Sequence, residues 1–313
     1  MKKVAFLFPG QGAQYVGMGK DFLYHEKMQK IFTQATEVLG YDLLKLCQEG
    51  PKEQLDQTEY TQPALLTVCV GILEIVKEMG LVPHVVAGLS LGEYTALVCS
   101  GALDFQTAVA LVQKRGKYMQ EAVPAGKGTM AAIIGLEEEQ IIELCQEVSS
   151  VGWVAPANFN CPGQIVVGGE VEGVLAFCEA AKAAGARRAL PLSVSAPFHT
   201  AMLQPAAEKL KEVLQPISFG EISIPYITNT TGEYFAEIHK IKKNLAKQVM
   251  SPVLFDKSIR TMMEDGVDTF IEIGPGKVLT GFVKKIDRRL QVFSIEDPAS
   301  LEKALESIGG TTC

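Results

Sequence analysis

A serine between two glycines is the residue of this sequence best suited to nucleophilic chemistry. Residues 88–92 read Gly-Leu-Ser-Leu-Gly; the apolar run 85–87 precedes them and an amphipathic segment at 93–100 follows. This order is typical of a nucleophile elbow, in which a serine occupies a strained turn between a strand and a helix. Such a turn would expose the hydroxyl of Ser90 and leave the backbone N–H of Leu91 free to bind an oxyanion. An ordinary glycine turn between strand and helix has the same local pattern and stays an alternative.

A serine nucleophile needs a base, and histidine is the usual one. The sequence contains four histidines. His25 and His239 lie in polar helical segments, and His84 begins the elbow strand at the end opposite Ser90. His199 alone follows a predicted strand and loop, from which it could reach the carboxyl edge of a sheet. We therefore expect His199 to be the base, with a purely structural histidine as the alternative.

The third member of a hydrolase triad is missing from the expected place. Hydrolases of the α/β type carry an acidic residue between the serine and the histidine in chain order. Here the only aspartate in that interval is Asp104, which is a predicted helix N-cap, and the glutamates fall mostly on helix faces or in a small domain. A Ser90–His199 dyad, with the imidazole held by a carbonyl or amide, fits better than a triad. This disfavours a lipase or esterase.

Two further side chains suit a ligand site. Arg115 lies among lysines on a predicted helix, where a solvated charge is the alternative, yet a guanidinium can hold a carboxylate with two parallel hydrogen bonds. Gln11 lies in the glycine-rich loop 9–14 after the apolar strand 4–8. The spacing of that loop matches no nucleotide-binding motif, so we reject a nucleotide site. Its position at the end of a strand is where ligand sites of α/β proteins lie.

The elements that must position these residues alternate between helix and strand, except in one central stretch. Helices are predicted at 27–39, 42–48, from Pro63 in a first turn to about Met79, and from Asp104 to about Val123. Residues 129–194 predict the order β-α-β-β-α-β of a ferredoxin-like unit. Beyond it, helices are predicted at 201–214, 238–249, 252–264 and up to 286, and strands at 222–227, 268–273 and 290–294.

These patterns predict an α/β fold with an inserted domain. We expect residues 1–126 and 196–313 to form a large subdomain with a parallel sheet. Residues 127–195 should form a small α+β subdomain of ferredoxin-like type.

Composition narrows the class of protein. The 313 residues carry a net charge of −7, which argues against a nucleic-acid partner. Seven cysteines form no CxxC pair and predict reduced core residues instead of a disulfide framework or a metal site. The first apolar run ends at Pro9 and the stretch 63–73 is too short to cross a bilayer. We expect a soluble, cytoplasmic protein with no membrane partner.

Seven short motifs appear in order along nearly the whole chain. They lie at residues 8–12 (Phe-Pro-Gly-Gln-Gly), 61–65 (Thr-Gln-Pro-Ala-Leu), 88–94 (Gly-Leu-Ser-Leu-Gly-Glu-Tyr), 113–116 (Gln-Lys-Arg-Gly), 158–164 (Asn-Phe-Asn-Cys-Pro-Gly-Gln), 197–199 (Pro-Phe-His) and 248–253 (Gln-Val-Met-Ser-Pro-Val). Together they resemble the malonyl-CoA:acyl carrier protein transacylases, which belong to the acyltransferase family of fatty-acid and polyketide synthesis. The resemblance implies an α/β-hydrolase-like large subdomain with a ferredoxin-like insertion, in agreement with the pattern above.

The resemblance also implies a mechanism. Ser90 would attack malonyl-CoA with His199 as base, giving a malonyl-serine ester that the phosphopantetheine thiol of acyl carrier protein then attacks. The main-chain carbonyl of Gln248 would orient His199. The oxyanion would bind to the backbone N–H groups of Gln11 and Leu91. Neither step requires a cofactor or metal.

Substrate choice follows from the same resemblance. Arg115 would hold the malonyl carboxylate, because a buried, unpaired cation disfavours an acetyl group. Phe198 beside His199 matches the Phe-His form associated with malonyl units, where Ser-His tends to accompany methylmalonyl. Leu89 departs from the family, which usually has histidine before the nucleophile. This puts the fine tuning of acyl choice in doubt more than the reaction.

Three other functions stay open. The protein could load a polyketide synthase carrier, hydrolyse stalled acyl units, or be an inactive scaffold that only docks a carrier protein. We expect a monomer. An acidic carrier protein would need a local basic patch. Two clusters could supply it: Lys240, Lys242, Lys243 and Lys247, or Lys284, Lys285, Arg288 and Arg289.

Overall fold

The computed structural model describes residues 3–192, 194 and 196–309. The strands are β1 (Val4–Phe8), β2 (Val85–Gly88), β3 (Gly128–Ile134), β4 (Val154–Cys161), β5 (Gln164–Glu170), β6 (Arg188–Pro191), β7 (Val253–Leu254), β8 (Thr269–Ile273) and β9 (Gln291–Ile295). The α-helices of the first half are α1 (Glu26–Leu39), α2 (Leu43–Glu49), α3 (Lys52–Leu55), α4 (Thr58–Glu78), α5 (Gly92–Cys99) and α6 (Phe105–Glu121). Those of the second half are α7 (Glu138–Glu147), α8 (Val171–Ala183), α9 (Gln204–Leu214), α10 (Ile241–Gln248), α11 (Phe255–Glu264), α12 (Val278–Ile286) and α13 (Pro298–Gly309).

The first sheet is parallel and has the strand order β2-β1-β8-β9. Phe6 and Phe8 of β1 pack into one hydrophobic cluster, and Ala5 and Leu7 pack into another on the opposite face. Both faces of β1 are therefore buried, which is why its sequence is a continuous apolar run instead of an alternating one. The carboxyl ends of β1 and β2 lie side by side, with Phe8 paired to Gly88.

The second sheet contains the predicted β-α-β-β-α-β unit. Its strand order is β6-β3-β5-β4, with antiparallel pairs, and α7 and α8 pack on it through their own hydrophobic core. The predicted fold class, a parallel-sheet subdomain with a ferredoxin-like second subdomain, is thus confirmed. The limits of the insertion stay a prediction, and its end at Ser195 lies outside the described residues, as does Ser193.

Three predicted elements were wrong in part, and each contains a proline. Pro63 lies in the second turn of α4, not the first, because the helix starts at Thr58. The predicted strand 222–227 is reduced to isolated bridges at Tyr226 and Ile227, since Pro225 has no N–H for a ladder. The predicted helix 252–264 begins only at Phe255. After Pro252, β7 instead adds a parallel strand to β4 of the small sheet.

Two features that could suggest other classes of protein are buried in the core. α4 is long and apolar enough to cross a membrane, but 83% of its most apolar window is buried inside the structure. A core helix passes the same test of length and composition. Six cysteines are free and buried, and burial raises the pKa of the Cys47 thiol to about 12. The seventh, Cys313, lies outside the described residues.

Candidate active site

Ser90 occupies a sharp turn between β2 and α5. Its φ is 54°, a left-handed conformation that is strained for a residue other than glycine. Both flanking glycines are required by close backbone contacts. A Cβ atom on Gly88 would lie 2.0 Å from the carbonyl carbon of Gly92, and one on Gly92 would lie 2.0 Å from the carbonyl oxygen of Phe8. This is the geometry of a nucleophile elbow and not of an ordinary turn.

His199 lies directly against the serine. Its Nε2 is 2.7 Å from the Ser90 Oγ, and its Nδ1 is 2.9 Å from the main-chain oxygen of Gln248. A carbonyl can only accept, so Nδ1–H donates to Gln248 and Nε2 is free to accept the serine proton. The backbone of His199 is also left-handed, with a φ of 60°, and its N–H donates to the carbonyl of Val249. The imidazole is thus oriented by the main chain after α10.

The other three histidines lie away from the serine. Nδ1 of His84 accepts a hydrogen bond from the N–H of Val4, and Nδ1 of His25 accepts one from the N–H of Lys27 at the start of α1. The side chain of His239 is exposed.

Burial keeps His199 neutral. Desolvation, followed by the charge of Arg115, lowers the pKa of His199 to about 4. No carboxylate contacts the imidazole in the part of the chain that the structure describes. At neutral pH the ring is therefore an uncharged proton acceptor in a dyad.

Arg115 is fully buried beside the nucleophile. Its Nη2 donates to the Ser90 Oγ at 3.0 Å and to the Gln248 Oε1 at 2.9 Å, and its Nη1 donates to the Gln62 Oε1 at 2.8 Å. The guanidinium lies over the ring of Tyr94, and its Nε has no hydrogen-bond partner. Within residues 3–192, 194 and 196–309, no carboxylate forms an ion pair with it. A buried cation that no carboxylate contacts favours an anionic ligand.

The two predicted oxyanion donors lie on adjoining segments. A Cβ atom on Gly10 would lie 2.4 Å from the carbonyl oxygen of Leu89, so the loop after β1 lies against the elbow. Among the described residues, the backbone N–H groups of Gln11 and Leu91 donate no hydrogen bond. The N–H of Ser90 itself is bound to the Asn229 Oδ1 at 2.6 Å. Among the described residues, the N–H groups of Gln11 and Leu91 are therefore available at this turn, whereas that of Ser90 is not.

A cavity of about 560 Å³ opens onto the serine and histidine. Leu89 and Phe198 line it beside the reactive groups, and Met130 and Ala132 of β3 line it from the small sheet. On β3 the alternate residues Ala131 and Ile133 face the core of the small subdomain instead, as the two-residue period of a strand requires. The site therefore lies between the two sheets. Other polar lining residues are Asn158, Asn160 and Gln164.

Sequence patterns alone missed three polar residues of the site. Gln62 and Glu93 lie within recognised motifs but had no role assigned to them, and Asn229 lies in no motif. Glu93 is fully buried. Burial raises the pKa of Glu93 above that of an ordinary glutamate, while its four hydrogen-bond partners are all donors and favour the ionised form.

Comparison with known proteins places this site in a family. The sequence pattern of the acyl transferase domain matches residues 5–296. The chain belongs to the acyl transferase family. Two relatives are malonyl CoA-acyl carrier protein transacylases. That of Bacillus subtilis is 49% identical over 311 residues, covering 98% of both chains. That of Escherichia coli K12 is 46% identical over 308 residues, covering 98% of this chain and 100% of its own.

Solved acyl transferase structures share the fold. The malonyl CoA-acyl carrier protein transacylase of Clostridium perfringens superposes with a TM-score of 0.95 at 48% identity, covering 98% of each chain. A malonyl-transacylase solved in complex with a type II PKS acyl-carrier protein gives a TM-score of 0.95 at 46% identity, covering 98% of this chain and 100% of its own. The two-sheet architecture of this acyl transferase is therefore that of known malonyl transacylases.

Proposed function

We propose that this acyl transferase moves the malonyl group of malonyl-CoA to the phosphopantetheine thiol of an acyl carrier protein, and so supplies extender units for fatty-acid synthesis. The observation that carries the proposal is the buried guanidinium of Arg115, which contacts no carboxylate of the described residues and lies 3.0 Å from the Ser90 Oγ. An acyl group on Ser90 with a free carboxylate would supply that contact.

In the first half-reaction, the Ser90 Oγ attacks the thioester carbonyl carbon while His199 Nε2 takes the hydroxyl proton. The N–H groups of Gln11 and Leu91 bind the oxyanion of the tetrahedral intermediate. Its collapse breaks the carbon–sulfur bond, and CoA leaves with the proton from His199. The product is a malonyl ester of Ser90.

In the second half-reaction, the carrier thiol gives its proton to His199 and its sulfur attacks the malonyl ester. The intermediate collapses onto the carrier, and the Ser90 oxygen recovers the proton. Both steps exchange one acyl bond for another, with no change of oxidation state. We therefore propose that the protein needs no cofactor beyond its two substrates.

The choice of acyl group depends on Arg115 and on the apolar residues Phe198 and Leu89. Arg115 binds the malonyl carboxylate, and an acetyl group would leave its guanidinium without a carboxylate contact. Phe198 and Leu89 line the cavity without offering a hydrogen bond, so they limit the bulk of the acyl group only by packing. Since Leu89 cannot replace the polar groups of a histidine, no donor at this position is needed for transfer.

The alternatives differ in what they require of the site. A hydrolase would have to activate water, yet His199 has no acidic partner in the described chain. An inactive scaffold has no use for the Ser90–His199 contact of 2.7 Å. Loading of a polyketide carrier uses the same chemistry and differs only in the partner.

We also propose a docking surface for the carrier, the α12 patch of Lys284, Lys285, Arg288 and Arg289. Phe282 of α12 lines the cavity, and Lys285 Nζ donates to Gln164 Oε1 at 2.7 Å on the cavity wall. Within the described chain, the cluster of Lys240, Lys242, Lys243 and Lys247 shows no such link to the cavity; Lys242, for example, donates to the carbonyl of Gln215. We further propose a cytoplasmic monomer, in accord with the free, buried cysteines.

Incubation of the purified protein with malonyl-CoA tests the function. Intact-mass analysis should show one added malonyl group on Ser90, which disappears when holo acyl carrier protein is added and reappears on the carrier. Ser90→Ala should take up none. Absence of the adduct in the wild type, or its persistence in Ser90→Ala, would overturn the mechanism. Loss of the adduct to water, with none on the carrier, would favour the hydrolase.

A further inference from the structure

Glu93 is a buried carboxylate behind the reacting groups, and it makes no contact with the cavity. It is the second residue of α5 and its side chain accepts four hydrogen bonds. Its Oε1 accepts from Thr228 Oγ1 at 2.8 Å and from Asn244 Nδ2 at 3.3 Å. Its Oε2 accepts from the N–H of Asn229 at 3.0 Å and from Gln248 Nε2 at 2.8 Å.

Two of these four partners touch the reacting residues directly. Asn229 Oδ1 accepts a hydrogen bond from the N–H of Ser90, and Asn229 Nδ2 donates one to the carbonyl of Gly88 at 2.6 Å. It therefore ties both sides of the elbow. Gln248 accepts a hydrogen bond from His199 Nδ1 on its main-chain oxygen and another from Arg115 Nη2 on its side-chain oxygen. One carboxylate thus holds the two residues that fix the nucleophile, the base and the guanidinium.

The amide of Gln248 has only one orientation that satisfies its neighbours. Its Nε2 faces three acceptors, the Glu93 carboxylate at 2.8 Å, the Ser90 carbonyl at 2.9 Å and the Asn229 Oδ1 at 3.4 Å. Its Oε1 faces Arg115, which can only donate. A flipped amide would set donor against donor at Arg115 and oxygen against carboxylate at Glu93. The carboxylate of Glu93, together with the Ser90 carbonyl, therefore supports the amide orientation that Arg115 needs.

The same amide separates two buried opposite charges. In a direct ion pair, Glu93 would occupy the guanidinium donors that a substrate carboxylate has to reach. With Gln248 between them, Glu93 balances the charge of Arg115 at a distance and leaves Nη2 directed at the Ser90 Oγ. A neutral spacer thus lets the fold bury an arginine that still binds an anion.

We propose that Glu93 is a positioning residue of the transferase. Its carboxylate orients Gln248 and Asn229, and through them it holds His199, Ser90 and Arg115 in reactive geometry. It touches neither substrate. This role rests on the proposed function, because it concerns the rate at which Ser90 is acylated.

Glu93→Gln is the test, because it removes the charge and keeps the shape. One of the four donors would then face an NH₂ group, and the amide of Gln248 would lose its charged acceptor while Arg115 and the Ser90 carbonyl remain. The rate constant for acylation of Ser90 by malonyl-CoA should fall about 10- to 100-fold. Glu272→Gln is the matched control, since Glu272 is also fully buried and contacts none of the reacting residues. Its acylation rate should stay within about twofold of wild type.

A double-mutant cycle separates positioning from general loss of structure. In a Gln248→Ala background the main-chain carbonyl remains but the amide is gone. Adding Glu93→Gln to that background should lower the rate by less than about threefold, because most of the path from Glu93 to Arg115 and His199 is already lost. Full additivity of the two changes would contradict the proposal.

If Glu93→Gln does not fold, Glu93→Asp serves in its place. This substitution keeps the negative charge but shortens the side chain by one methylene group. We expect a loss of about 10-fold or more in the acylation rate. A wild-type rate in either Glu93 variant refutes the positioning role. If the wild type itself forms no malonyl adduct, the proposed function fails instead, so the two failures are distinguishable.

Discussion

Two buried glutamates, Glu93 and Glu272, lie in the same parallel-sheet subdomain and have different partners. Glu93 follows β2 at the elbow, and three of its four hydrogen bonds come from side chains. Glu272 lies within β8 and accepts the backbone N–H groups of Leu279 and Thr280, at the start of α12. For both, desolvation is the main cause that raises the pKa.

The difference lies in what each carboxylate holds. Glu272 satisfies N–H groups that every helix leaves unpaired in its first turn, so it stabilises the junction of β8 and α12. Glu93 binds the side-chain amide of Gln248 and the backbone N–H of Asn229, two residues that contact the reacting groups. The first arrangement supports the fold beneath the α12 patch, and the second supports the chemistry at the elbow.

The largest expected effect tests the chemistry at the elbow, the region that Glu93 supports. His199→Ala removes the proton acceptor, and the acylation rate by malonyl-CoA should fall about 10²- to 10⁴-fold. Quenched-flow mass spectrometry of the malonyl adduct measures this rate. His239→Ala, at an exposed histidine, is the control and should react like wild type. A rate near wild type for His199→Ala would remove the histidine from the mechanism.

Arg115→Ala tests the charge that Glu93 balances. The acylation rate with malonyl-CoA should fall about 100-fold, because the variant loses the cation for the substrate carboxylate. With acetyl-CoA the fall should be clearly smaller, since that substrate has no carboxylate. The ratio of the two rates is the measurement. An equal loss with both substrates would show that Arg115 only supports the dyad.

Reversing a charge in the α12 patch tests the region that Glu272 supports. Lys285→Glu should raise the KM for the carrier protein about 3- to 10-fold and leave acylation by malonyl-CoA unchanged, because docking depends on opposite surface charges. Lys243→Glu, on the exposed face of α10, is the matched control. If Lys243→Glu has the larger effect on the KM, the docking surface lies on α10.

The smallest expected effect concerns pH. His199 has a pKa lowered to about 4, so it stays neutral well below pH 7. The acylation rate at pH 6 should therefore stay within about twofold of that at pH 8. A histidine with the ordinary pKa near 6.5 would be only about one-quarter neutral at pH 6. A fall in rate with an apparent pKa near 6.5 would show that the imidazole is more hydrated than its burial here indicates.

Local patterns predicted the elements whose residues carry their own signal. The apolar run of β1, the glycines around Ser90 and the cap at Asp104, which accepts the N–H of Thr107, depend on short stretches of chain. Errors came where a proline lay inside an element, as at Pro63 and Pro225. At these two prolines, the element that formed depended on which neighbouring segment supplied the remaining backbone hydrogen bonds. A local sequence pattern does not contain that information.

The residues of the candidate site were likewise predicted where a short stretch of chain carries the signal, and missed where it does not. Ser90, His199, Arg115, Gln11 and the N–H of Leu91 were singled out by residue type and setting, and the family motifs added Gln248 and the oxyanion role of Gln11. Asn229 could not be found, because its contact with Ser90 joins residues 139 positions apart. The role of Glu93 was also hidden, since its position on an elbow helix is compatible with either a buried or an exposed side chain.

By itself the sequence determined the strand–turn–helix at Ser90, the order of helices and strands, and the reactive groups available. Those properties depend on backbone sterics and on the period of apolar residues over a few positions. The tertiary structure alone decided that His199 is neutral, that no carboxylate of the described residues contacts the buried guanidinium of Arg115, and that Glu93 reaches both residues through Gln248. Burial and hydrogen-bond partners set these properties, and both arise only when distant segments pack together.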